Sequence, residues 1–219
     1  MSTELRTVHL YLFDGFADWE AAFAVAGINN PEFQREPGTW QVRTVAAAGA
    51  SLVRSMGGLA VLPDQRLSTL FPDDTSMLIL PGGPGWDQGE HLEAAGKAKD
   101  ILDHGGQVAA ICGATAGLAR LGILDQRRHT SNAASYLNGT GYAGGEHYVD
   151  EPVVDESGLI TAGGMSALEF AQAIFQRLGV YEDEVLDAWY QVNKTGKSSW
   201  YAKMAAAAGG SASGGATRD

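Results

Sequence analysis

The chain has 219 residues and a formal net charge of -11, from 26 acidic and 15 basic residues. That balance argues against nucleic-acid phosphates and anionic membranes as partners, and no apolar run reaches the length of a transmembrane helix. With 45% hydrophobic and 19% charged residues the composition is that of a globular domain, and a single cysteine excludes an internal disulfide and a cysteine-rich zinc site.

Residues 7–13 are almost continuously apolar and rich in β-branched and aromatic types, the pattern of a strand buried on both faces. Asp14-Gly15 breaks it, and residues 18–28 read as a helix with an alanine-rich face. A second strand is expected at 41–47. Residues 52–62, interrupted by Gly57-Gly58, read as a hairpin or a pair of short strands. Residues 76–80 form a further buried strand, stopped by Pro81-Gly82-Gly83-Pro84-Gly85.

In 91–104, Leu92, Ala95, Ala98 and Leu102 make a helical stripe. Residues 107–111 are a short strand, followed by Cys112 and a helix of small residues over 113–121. Two more short strands are expected at 149–154 and 158–161. Ser166-Ala167-Leu168-Glu169 has the spacing of a capping box and starts a helix that continues through Phe170, Ile174 and Leu178. Residues 181–193 are the last amphipathic helix, with Glu182, Asp183 and Glu184 near its start, and 199–208 add a turn or two.

Strands alternating with helices indicate βαβ units on a mostly parallel sheet covered on both faces. Residues 1–208 therefore read as a single α/β domain. Residues 209–219, all small or polar apart from Ala, have little to bury and are expected to be a disordered tail. The first residues lack the long apolar stretch and cleavage site of a secretory leader, so the expected compartment is the cytoplasm.

In open α/β sheets chemistry gathers at the carboxyl ends of the strands. The acidic loop from Asp14 to Glu20, the Gly82-Gly83 turn and Cys112 all fall there. A lone cysteine flanked by alanine and isoleucine is otherwise a buried small hydrophobe. At a strand-to-helix turn, however, its side chain is pushed clear of the sheet, and the positive end of the following helix favours the thiolate. The N–H groups of Gly83 and Gly113 are placed to receive an oxyanion. Trp19 and Trp86 either line a small pocket beside the thiol or pack core edges or a subunit interface.

The segments Val8 through Glu20, Leu78-Ile79-Leu80-Pro81-Gly82-Gly83, Ala109-Ala110-Ile111-Cys112-Gly113 through Leu118, Gly158 through Gly164, and Ser166 through Ala171 occur together in order. In them the chain resembles the ThiJ/PfpI superfamily, the class I glutamine amidotransferase-like proteins. The resemblance implies a flavodoxin-like three-layer sandwich with a nucleophile elbow at Cys112, and oxyanion donors at Gly83 and Gly113. It also implies an acid that hydrogen-bonds the cysteine, which maps onto Glu20, with Asp18 as the fallback. Such an acid has to be protonated to favour the thiolate, so Glu20 should have a raised pKa from burial. Where many members carry a histidine near the cysteine, this chain reads His129-Thr130-Ser131-Asn132, which puts Asn132 in the histidine position. His129 lies three residues early and points to the opposite face of an extended segment. His147 is the other candidate, on a loop. There is no His-x-Glu pair after the cysteine, which argues against glutaminase activity.

What the resemblance implies is a cysteine-dependent, cofactor-independent hydrolase or lyase, with no metal, acting on a small electrophilic molecule. Glyoxalase-, isocyanide hydratase- and amidase-like reactions all occur in the family. The alternative is a redox-sensing stress-response protein whose Cys112 oxidises to a sulfinate. Family members are commonly dimers, so a homodimer is expected. A DNA-binding regulator is disfavoured, since the chain has no helix-turn-helix segment and no basic stretch.

Overall fold

The structure is a computed structural model that describes residues 5–213, with side chains through 209. Its strands are β1 (Arg6–Leu12), β2 (Trp40–Ala46), β3 (Val53–Arg54), β4 (Ala60–Val61), β5 (Gln65–Arg66), β6 (Met77–Leu80), β7 (Val108–Ile111), β8 (Val153–Glu156) and β9 (Leu159–Ala162). Its α-helices are α1 (Asp18–Asn29), α2 (Leu92–Asp103), α3 (Gly113–Arg120), α4 (Ala134–Asn138), α5 (Ala167–Leu178), α6 (Asp183–Thr195) and α7 (Ser198–Ser213).

Seven strands form one sheet in the order β5-β2-β1-β6-β7-β9-β8. Every neighbouring pair is parallel except β8 and β9, a hairpin on one edge. β6 and β7 are buried along their whole length, as strands covered on both faces must be. This is the expected doubly covered α/β sandwich. The hairpin expected at 52–62 is the separate antiparallel pair β3 and β4.

The connections carry the ends of β1, β6, β7 and β9 to the same edge of the sheet. Asp14 to Glu20, the 81–86 turn, Cys112 and Gly163-Gly164 follow those four strands, so they meet over the middle of the sheet. α3 packs tightly there because it is made of small residues. A Cβ added at Gly117 would lie 2.3 Å from the Trp86 ring, so the helix approaches the indole closer than any larger side chain permits. Trp86 is fully buried, and its Nε1–H donates to the Pro81 carbonyl at 2.9 Å.

Three expectations change. Ser166 does precede α5, but its side chain makes no capping bond. Glu169 reaches across to α6 instead, accepting from Tyr190 Oη at 2.9 Å and Lys194 Nζ at 2.7 Å, while the Ser166 N–H that a capping box would offer it donates to the Gly163 carbonyl at 2.9 Å. The edge strand begins at Val153, not 149, because 149–152 turn at Pro152 after Val149 N–H bonds the His129 carbonyl. Finally, α7 extends through Ser213, so residues 209–213 of the expected tail are helical, and 214–219 lie outside the described residues. Residues 134–138 (α4) and β5 carried too little periodicity to be read beforehand.

Candidate active site

β7 delivers Cys112, and α3 begins at the next residue. To make that change of direction Cys112 adopts φ 57° and ψ -124°, a conformation rare for a residue with a side chain, costing on the order of 1–3 kcal/mol. The surroundings hold it there. Its N–H donates to the Ala162 carbonyl at 3.0 Å, and its carbonyl accepts from Thr115 Oγ1 at 2.6 Å. Thr115 Oγ1 is in turn 2.6 Å from Ser131 Oγ. The elbow is thus fixed by β9, by α3 and by the segment after α3. The sulfur is left partly exposed.

Glu20 stands in the first turn of α1, yet it is only 1% exposed. Its Oε2 accepts the Gly82 N–H at 2.5 Å, and its carboxyl lies beside the Cys112 side chain. Two glycines make room for the pair. A Cβ at Gly82 would lie 2.7 Å from Cys112 Cβ and 2.8 Å from Glu20 Oε2. One at Gly164 would lie 2.8 Å from Sγ and 3.2 Å from Glu20 Oε1. Neither position tolerates a side chain while the pair stays where it is.

Asn132 supplies a third contact to the sulfur. Its Oδ1 accepts the Gly164 N–H at 2.9 Å, which orients the amide so that Nδ2 faces Sγ at 3.4 Å. A backbone N–H can only donate, so the oxygen must be the atom turned toward Gly164. Gly113 N–H also donates to the sulfur.

Burial pushes the Glu20 carboxyl up to about 7, against the opposing bonds from Gly82 and Cys112. Burial, reinforced by the negative charge of Glu20, pushes the Cys112 thiol up to about 11. The raised Glu20 matches the sequence expectation, whereas a thiolate favoured by the helix end does not. Desolvation and a neighbouring carboxylate outweigh the Asn132 and Gly113 donors. Once Glu20 has ionised, the pair's remaining proton therefore rests on sulfur. When that proton sits on Glu20, the charge opposing the thiolate is gone, and the remaining polar contacts to sulfur all favour the anion.

The sulfur opens into a cleft of about 600 Å³, walled by Trp19, Ser131, Asn132, Gly163, Gly164 and Met165 with Asp150 and Glu151 at the rim. Trp19 is 48% exposed, and its indole N–H reaches the Gly164 carbonyl at 3.4 Å. Trp86, the other candidate wall, belongs to the core beneath the glycine turn. A larger groove, about 770 Å³, lies between α6 and α7, lined by Asp183, Glu184, Asp187, Trp200 and Lys203 and away from the thiol.

Of the remaining candidates, Gly113 touches the sulfur, while Gly83 packs against Phe13 and the Gly15 carbonyl one residue beyond Gly82. Asp18 does not join the thiol. It accepts the Gly57 N–H at 2.7 Å and holds the β3–β4 hairpin. His129 is fully buried elsewhere, between the Arg127 carbonyl and Tyr142 Oη, and His147 lies beside Glu146. Trp19 stands on the cleft wall, one of the two places sequence offered for it, whereas Gly164 as a neighbour of the sulfur and Gly82 as the carboxyl's donor were not singled out by sequence. The glycine pair after β9 was the available signal, since it repeats the strand-then-glycine pattern of 81–83.

A parallel sheet of this strand order, with a cysteine elbow at the end of a central strand, defines a protein of the class I glutamine amidotransferase-like fold. The chain belongs to the DJ-1/PfpI family, whose model matches residues 6–177. It is 35% identical over 204 residues to the uncharacterized protease YoaZ of Bacillus subtilis (strain 168), covering 92% of this chain and 97% of that protein. It is 30% identical over 138 residues to the glutathione-independent glyoxalase DJR-1.2 of Caenorhabditis elegans, covering 61% of this chain and 73% of that protein. Among solved structures, the thiJ/pfpI family protein from Bacillus anthracis is similar with a TM-score of 0.86 and 34% identity, over 93% of this chain and 97% of that one.

Proposed function

We propose that this protein is a cofactor-independent enzyme that uses Cys112 to attack the carbon of a small electrophile, as a hydrolase or lyase of the glyoxalase, isocyanide hydratase or amidase kind. The observation that carries this reading is the placement of a strained, half-buried Cys112 beside the carboxyl of a buried Glu20 at the floor of a cleft, close enough that one Cβ added at Gly82 would strike both. Ionised Glu20 takes the thiol proton as sulfur bonds to carbon. The N–H groups of Gly113 and Gly83 receive the charge that develops on oxygen, and Glu20 returns the proton later.

Among the three chemistries, conversion of a dicarbonyl fits best. It shuttles protons without expelling an amine, and Glu20 is one proton carrier. Amide cleavage, which the name of the Bacillus subtilis relative suggests, needs a donor at the departing nitrogen, and Glu20, the one proton carrier beside the sulfur, would have to serve there as well. Asn132 stands beside the sulfur and has no proton to give, while His129 is engaged elsewhere.

A second reading has its own support. The Gly113 N–H and Asn132 Nδ2 that face the sulfur would equally hold sulfinate oxygens, as a redox-sensing stress protein requires. Methylglyoxal and simple isonitrile turnover by wild type and Cys112→Ala, with the mass of Cys112 after mild peroxide, separates the two. Turnover abolished in the variant supports the enzyme. No turnover with clean addition of two oxygens supports the sensor, and a thiol that resists alkylation as well as oxidation refutes both. We further propose a cytoplasmic homodimer; exposed Trp19 and Phe23, one turn apart on α1, are suited to a subunit contact. Sedimentation velocity at micromolar concentration tests it, and a purely monomeric boundary would overturn it.

A further inference from the structure

The cleft has a one-sided charge. Three of the twelve residues lining it are carboxylic acids, Glu20 on the floor and Asp150 and Glu151 at the rim, and none is lysine, arginine or histidine. Both rim residues are exposed, and neither is ion-paired with a described residue. The Thr130 hydroxyl donates to the Glu151 carbonyl at 2.8 Å, which ties the backbone of the rim to the strand segment leading to Asn132. Trp19 adds an indole face on the wall, half exposed and tied to Gly164. An anion approaching the sulfur passes carboxylates with no cation to offset them. A cation passes the same groups with a favourable field and meets an aromatic face.

We propose that Asp150 and Glu151 are specificity-determining residues that admit uncharged and cationic electrophiles to Cys112 and turn away carboxylate- and phosphate-bearing ones. The inference deepens the proposed function, since it assumes that the cleft is where the substrate meets the sulfur. It adds a substrate class that the nucleophile alone does not specify. An α-oxo acid or a sugar phosphate would be a poor substrate at any pH where the rim is ionised. A neutral dicarbonyl, or one bearing an ammonium group, would be admitted.

The sole cysteine of the chain allows a test that needs no turnover. Methanethiosulfonates transfer their thioalkyl group to a thiolate, forming one disulfide and releasing methanesulfinate. The trimethylammonioethyl, methyl and sulfonatoethyl reagents differ in charge at the transferred group. Their rates on the folded protein are compared at low and high salt with those on free mercaptoethanol. Thiol ionisation affects all three equally and cancels in the ratio. The cation-to-anion ratio should exceed that of the free thiol by about tenfold at low salt and shrink toward it at high salt. Asp150→Asn combined with Glu151→Gln should bring the ratio close to the free-thiol value. Asp73→Asn combined with Asp74→Asn, at the opposite end of the sheet, should leave it unchanged. A wild-type ratio equal to that of the free thiol overturns the proposal, as does a ratio that the rim variant leaves alone or that both variants lower equally. Charge selection without turnover of any electrophile would retain this inference and count against the enzyme reading; turnover without charge selection would do the reverse.

Discussion

The side-chain amide of Asn132 points its nitrogen at Cys112 Sγ from 3.4 Å because the Gly164 N–H claims its oxygen. Where a histidine would titrate, this donor keeps one charge state across the whole working range. It can steady a sulfur anion or a nearby oxyanion, but it cannot carry a proton. The distinction shapes what the site can do and how it should respond to mutation.

Removing the donor should raise the thiol pKa. Asn132→Leu loses one hydrogen bond to the charged form, worth about 1.5 kcal/mol and hence about one pH unit. Asn132→Asp adds a repelling carboxylate and should raise it further. The thiolate absorbance of the single cysteine, followed against pH, reads both variants, and superimposable titrations would show that the amide does not act on sulfur.

Glu20 makes alkylation of Cys112 depend on pH near neutrality. Below about 7 the carboxyl keeps its proton and cannot take another from the thiol. Above that value the ionised carboxylate accepts it, so the rate with iodoacetamide should climb through about pH 7 in wild type. In Glu20→Gln that inflection should vanish. Glu20→Gln still presents a donor to sulfur, so it should retain more thiolate than Glu20→Leu. Identical profiles for the two variants would remove Glu20 from the proton path.

The same residue should cost stability in alkaline solution. Its folded pKa, about 7, is raised above the ordinary 4.5, so its contribution is fully present below 4.5 and lost as pH rises through 7. Integrated over that shift, the loss is about 3 kcal/mol. Glu20→Gln should therefore melt several degrees above wild type at pH 8, with the gap closing toward pH 4. A constant difference between the two melting temperatures across that range would contradict the assignment.

Two glycines separate reactivity from stability. Gly164→Ala puts a methyl group within 2.8 Å of Sγ, so Cys112 must shift and its alkylation should fall sharply, with a smaller drop in melting temperature than the next variant because the displaced side chain borders the open cleft. Gly117→Val instead drives atoms into the Trp86 ring, 2.3 Å from the ideal Cβ, beneath the elbow. Overpacking of that kind costs about 1–3 kcal/mol and should lower the melting temperature by several degrees. Equal loss of stability in both variants would mean that Gly164 is a packing residue as well.

The regular elements could be read from local pattern because strand burial and helix periodicity leave a mark within a few neighbouring residues. Apolar 7–13 and 107–111, the stripe from Leu92 to Leu102 and the break at Pro81-Gly82-Gly83 each announce themselves in this way. Cys112 was conspicuous as the only thiol at a strand-to-helix turn, and the family resemblance singled out Glu20 and placed Asn132. Which groups actually touch the sulfur was a different matter. Glu20, Gly82, Asn132 and Gly164 come from four separate connections, and the sheet order alone brings them within bonding distance. The capping spacing at Ser166 and Glu169 misled because the Gly163 carbonyl takes the Ser166 N–H and a tyrosine and a lysine one helix away take the carboxylate. The direction of the thiol pKa misled for a related reason. A helix end acts locally, but desolvation and the charge of a carboxyl distant in sequence are set by what the fold packs around the sulfur, and there they are the larger forces.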